Sequence, residues 1–100
     1  MKLSTIILEA SFYTYEAMAQ AVYTDEADPN EIADLLRALP GVTTVTQASS
    51  DQGTNQGTYK IKIISQKQAK EAFLALKKNT IDKYPQITVF KVAENTIEEK

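Results

Sequence analysis

Asp25, Glu26 and Asp28 are the side chains best suited by type and spacing to do chemistry in this 100-residue chain. Clustered carboxylates are the hard oxygen ligands that Mg²⁺ or Ca²⁺ prefers. Their spacing does not match a D-x-[DN]-x-[DN]-G loop. Asp28 also has another use. Asp28-Pro29-Asn30-Glu31 places an N-cap acceptor, a proline at the first helical position and a glutamate at N3. Acids gather at helix N-termini because of the helix dipole. The cluster therefore reads as the start of a helix rather than a metal site. Ser49, Ser50 and Asp51 form a second polar group, but a hydroxyl becomes a nucleophile only beside a base. The chain has no histidine and no cysteine. That removes the commonest general base, thiolate nucleophiles, disulfides and cysteine-ligated metal. No P-loop, G-x-S-x-G or dinucleotide fingerprint occurs. The three glycines, at 41, 53 and 57, each fit a turn, and the five tyrosines read as core or interface residues. The expectation is a protein that is not an enzyme and carries no cofactor.

The elements that would position these residues are legible in part. A chain of this length is one domain. Its content, 43% hydrophobic and 24% charged, is ordinary for a globular protein. Ile32, Leu35, Leu36 and Leu39 recur at helical spacing, and Pro40-Gly41 stops them, which predicts a helix over 29–39. The β-branched run Val42–Thr46 predicts a strand. Ser49–Gly57 reads as a polar turn, and Tyr59, Ile61 and Ile63 alternate with Lys60 and Lys62 in a second strand. Ser65-Gln66-Lys67-Gln68 resembles a capping box. The helix it opens carries Ala69, Ala72, Phe73, Leu76, Ile81 and Tyr84 on one face, up to Pro85. Residues 86–92 form a last strand and 93–100 a frayed polar tail. Upstream, 18–24 reads as a strand, and 3–16 favours a short helix over a strand. Residues 1–15 lack the uninterrupted apolar core of a signal peptide, despite Ala17-Met18-Ala19. No stretch is long and apolar enough for a membrane-spanning helix, so a cytoplasmic protein is expected.

The order β-α-β-β-α-β from residue 18 predicts an α+β, ferredoxin-like sandwich: a four-stranded antiparallel sheet with two helices on one face. The expected organisation is an extension over 1–17, the domain over 18–92 and the tail over 93–100. The segment Leu35-Leu36-Arg37-Ala38-Leu39-Pro40-Gly41-Val42-Thr43-Thr44-Val45 resembles the helix-to-strand turn of heavy-metal-associated and ACT-type regulatory domains. The heavy-metal family needs a CxxC pair after its first strand, where this chain reads Thr24-Asp25-Glu26-Ala27-Asp28. Likeness to the ACT type would imply a small ligand bound at a dimer interface. The opening MKLS, the segment RALPGVTTV and the strand YKIKI resemble small uncharacterised proteins of marine tailed phages. That likeness implies a viral accessory or structural protein, acting in the host cytoplasm.

Charge is unevenly placed. Residues 1–59 sum to −6, 60–91 to +6 and 92–100 to −2. Lys60, Lys62, Lys67, Lys70, Lys77 and Lys78 are the candidate polyanion-binding residues. Nucleic acid is the weaker reading, because the pI is low and the chain has one arginine, the favoured bidentate phosphate ligand. The third strand also lacks the aromatic pattern of an RNA-recognition motif, and Tyr23 is the one stacking candidate on the first strand. An acidic first helix lying beside a basic second one would account for the asymmetry without a partner. The apolar residues outside the expected core, Leu3, Ile6, Ile7, Phe12, Tyr13, Tyr15, Tyr23 and Ile64, are the interface candidates. They favour a homodimer through the N-terminal segment and the open sheet face.

Overall fold

A computed structural model describes residues 12–24, 27–51 and 55–100. In chain order the elements are β1 (Tyr13–Tyr23), α1 (Pro29–Arg37), β2 (Val42–Asp51), β3 (Gln56–Ser65), α2 (Ala69–Lys83) and β4 (Ile87–Val92). A single 3₁₀ turn (Glu94–Thr96) and a two-residue strand, β5 (Glu98–Glu99), follow. The strands form one five-stranded sheet in the order β2-β3-β1-β4, with β5 also pairing β1. Every pairing is antiparallel. The architecture is α+β and compatible with a ferredoxin-like fold.

The two central strands define the core. Tyr15, Ala17, Ala19 and Ala21 on β1 face Ile63, Ile61, Tyr59 and Gly57 on β3, and all eight are buried. Side chains in a strand alternate between faces, so these residues share one side of the sheet. Ile32, Ala33 and Leu36 of α1 and Ala72, Phe73 and Leu76 of α2 join them in a single core with Ile87 and Phe90 of β4. Burying a large apolar side chain contributes roughly 1.5–3 kcal/mol. The small alanines on β1 leave space for the helices and for the Tyr59 ring. Gly57 does the same and is not a turn residue. It lies within β3, where a Cβ would sit 2.7 Å from the Tyr59 hydroxyl. Gly41 does occupy a turn, at φ +83°, and its carbonyl accepts from the Ile64 amide at 2.8 Å.

Helix α1 begins as expected: Asp28 is the N-cap, its carboxylate accepts from the Glu31 amide at 2.9 Å, and Pro29 opens the first turn. It ends at Arg37, two residues early. Arg37 donates to the Asp34 carboxylate at 2.6 Å and to the Val45 carbonyl at 2.9 Å, tying α1 to the edge strand β2. Helix α2 has no capping box. Its N-cap is Gln68, without a side-chain cap bond, and the Ser65 hydroxyl instead accepts from the Lys67 amide at 3.0 Å. The core residue in its last turns is Thr80, whose hydroxyl donates to the Leu76 carbonyl at 2.7 Å, while Ile81 faces outward.

Three further expectations are corrected. Residues 13–16 are strand rather than helix, so β1 runs through the expected boundary at 17/18. Leu3, Ile6 and Ile7 lie outside the described residues. The hairpin strands extend into the polar stretch, with Ser49, Ser50 and Asp51 paired to Thr58, Gly57 and Gln56. The tail is docked rather than frayed. Strand β4 pairs with β1 only over Ala19–Tyr23, and the tail serves the rest of that edge. The Ala93 amide donates to the Met18 carbonyl, the Met18 amide to the Thr96 hydroxyl, and the Lys100 amide to the Thr14 carbonyl, at 2.9, 2.9 and 2.7 Å. Glu98 and Glu99 pair with Glu16 and Tyr15.

Candidate interaction surface

Among the interface candidates, Tyr15 and Tyr23 are core residues, 5% and 4% exposed. They carry the same alternation as the buried alanines between them. The Tyr15 hydroxyl donates to the Lys67 carbonyl at 3.0 Å, and its ring meets Phe73. Tyr23 therefore presents no base-stacking surface on the open face. Burial, with Glu99 and Tyr13 nearby, pushes the Tyr15 hydroxyl above its ordinary pKa. Phe12, Tyr13 and Ile64 are exposed at one end of the sheet. Tyr13 stacks on Tyr15 at 6.1 Å, on the helix side. Ile64, opposite Thr14, lies on the open side.

The open face is polar and largely self-compensated. Lys60 and Lys62 project from β3 opposite Met18 and Glu16. Lys91 lies across β1 from them, opposite Gln20. The tail brings charge onto this face: the Lys100 ammonium reaches the Glu98 carboxylate at 2.9 Å and Glu16 at 3.4 Å. The bond from Lys100 holds the Glu98 carboxyl below its usual range, with Lys60 adding to the effect. Lys100 is raised in turn, first by Glu98 and then by Glu16. The aromatic rings of β1, β3 and β4, Tyr13, Tyr15, Tyr23, Tyr59 and Phe90, all lie on the other side, and all but Tyr13 are buried there.

Lys67, Lys70, Lys77 and Lys78 belong to α2 and its approach. The ion pairs of the described residues are Arg37–Asp34 and the two made by Lys100, so none joins the two helices. The expected pairing of an acidic α1 with a basic α2 is therefore not made. Instead α2 carries apolar side chains on both sides. Ala72, Phe73, Leu76 and Thr80 face the core, while Leu74 is 66% and Ile81 37% exposed. Lys67, Glu71, Lys78 and Asp82 line the same shallow groove as Leu74 and Ile81. Reading Ile81 as a core residue hid this surface. The signal that marks it is the spacing from Leu74 to Ile81, two helical turns on the face away from Phe73.

No metal-binding cluster occurs among the described residues, and Asp25 and Glu26 lie outside them. No helix of the described residues is long and apolar enough to cross a membrane. The chain matches no protein-family profile, no curated protein and no solved structure.

Proposed function

We propose that the chain is a non-enzymatic, self-associating interaction domain of ferredoxin-like βαββαβ topology. Its likeness to tailed-phage proteins suits an accessory or structural component acting in the host cytoplasm. The element order and the strand order β2-β3-β1-β4 support the topology. The observation that carries the function is apolar surface beyond a core that is already closed. The core takes up one side of the sheet and of both helices, yet Leu74 and Ile81 on α2 and Phe12 and Ile64 at the sheet end stay exposed. Exposed apolar patches rimmed by charge mark protein contacts. The lysines on the open face sit beside Glu16 and Glu98, and the buried tyrosines leave that face without stacking rings, which argues against a nucleic-acid surface. Sedimentation velocity over a wide concentration range tests the reading. The mass should rise from monomer toward dimer, and a strict monomer at the highest concentration overturns it.

A further inference from the structure

The outward stripe of α2 reads Glu71, Leu74, Lys78, Asp82, and Lys67, just before the helix, lines the same groove at its N-terminal end; all five are exposed. Steps of three and four residues hold the four helical members to one face, opposite the core residues Phe73, Leu76 and Thr80. In charge the row of five is plus, minus, apolar, plus, minus. Read backward, it is minus, plus, apolar, minus, plus. The pattern is its own complement under a two-fold rotation, as an isologous contact requires. No ion pair among the described residues uses any of these charges.

We propose that α2 packs antiparallel against α2 of a second copy, about a two-fold axis beside Leu74 and Ala75. This rests on the self-association reading and names its interface. In that register Glu71 meets the partner's Lys78, Lys67 meets the partner's Asp82, and each contact occurs twice. Leu74 packs against the partner's Leu74 at the axis, and Ile81 covers the side chain of the partner's Gln68. A parallel arrangement would set Glu71 on the partner's Glu71 and Lys78 on the partner's Lys78, so the same charges select against it. An acidic helix from another protein fits less well. It would satisfy Lys67 and Lys78 but meet Glu71 and Asp82. A helix of 15 residues is about 22 Å long. A contact along it falls below the ~1,200–2,000 Å² of stable complexes, so the dimer is weak and depends on concentration.

Two charge reversals test this on the full chain. Glu71→Lys sets an ammonium against the partner's Lys78 twice, and Lys78→Glu sets a carboxylate against the partner's Glu71 twice. Each variant should dimerise about 10-fold more weakly than the parent, from two repulsive contacts of surface strength. An equimolar mixture of the two variants restores both attractive pairs and should regain dimer at the parent's affinity. Lys62→Glu, at a lysine on the open sheet face and outside the groove, should dimerise like the parent and should not restore dimer when mixed with Glu71→Lys. Thermal unfolding of each variant shows that the fold is kept. Dimers of parental affinity in both reversals would overturn the α2 contact and leave self-association standing. Weak single variants with no recovery on mixing would overturn the antiparallel register. A parent that stays monomeric overturns both the contact and the reading beneath it.

Discussion

Replacing Thr96 with valine should loosen the C-terminal clasp without disturbing the core. The Thr96 hydroxyl accepts from the Met18 amide at 2.9 Å and donates to the Ala93 carbonyl at 2.6 Å. Valine has nearly the same shape and can do neither. Met18 sits where β4 has ended its pairing and β5 has not begun, so its amide has no strand partner on that side. Losing one acceptor at a partly buried amide costs about 1–2 kcal/mol. That changes an opening equilibrium by roughly 5- to 30-fold. Amide hydrogen exchange of Thr96→Val should therefore be about 5- to 30-fold faster at Met18, with a smaller increase at Lys100, which bonds to Thr14 two pairs farther on. Ala19 and Tyr59, paired in the sheet centre, should keep their protection. Thr96→Ser keeps the hydroxyl and should match the parent. Unchanged exchange at Met18 in the valine variant would refute the claim that the tail completes the edge of β1.

Gly57→Ala should cost about 1–3 kcal/mol, because the new methyl overlaps the Tyr59 hydroxyl and that buried ring has no room to yield; urea denaturation measures it. Tyr59→Phe loses the hydroxyl's bond to the Pro29 carbonyl, 3.1 Å, and should cost about 0.5–1.5 kcal/mol at neutral pH. The same variant should flatten the alkaline limb of the stability curve. Burial, then Tyr23 and Asp28, raises the Tyr59 hydroxyl above its ordinary value of 10.0. The folded chain then keeps a proton that the unfolded chain releases, so the parent loses stability as pH rises above about 10. The clasp has its own pH window. Glu98 is held below its usual 4.5, so its contribution is present above that pH and fades as pH falls through the lowered value. Lys100 is raised above 10.5, so its contribution is present below that pH and is lost as pH rises through the raised value. Protection of the Lys100 amide, taken against the intrinsic exchange rate at each pH, should be greatest between those limits and should fall on both sides.

Helix α1 and the strand of Tyr59, Ile61 and Ile63 are legible because their signals are local. A capping aspartate, a proline and a strict alternation each act within a few residues. Strand β1 is less so. Its buried row is Tyr15, Ala17, Ala19, Ala21 and Tyr23, a perfect alternation, but alanine is only weakly apolar and Met18 and Val22 sit on the opposite side. Without neighbours, that row reads as no strong pattern, and Tyr15 and Tyr23 read as interface candidates as readily as core residues. Helix α2 misleads for a different reason. Thr80 meets its hydrogen-bonding need within its own helix, through Leu76, so a polar residue enters the core and a nearby isoleucine is left outside. The tail has almost no apolar residues apart from Ile97, and its order comes from backbone groups of β1 that β4 leaves unpaired. That is a property of strand lengths across the sheet, which no segment of sequence carries alone. Asp28 is a cap, as its spacing suggested, while Asp25 and Glu26 lie outside the described residues.

The central claim is that this domain associates with itself through surface its core does not use. Two-dimensional amide spectra of the labelled full chain, recorded from dilute to concentrated solution, test it most directly. Shifts that move with concentration and gather at Glu71, Leu74, Lys78 and Asp82, with the open-face residues Lys60 and Lys62 unmoved, are the expected result. Spectra that superimpose over the whole range would contradict it.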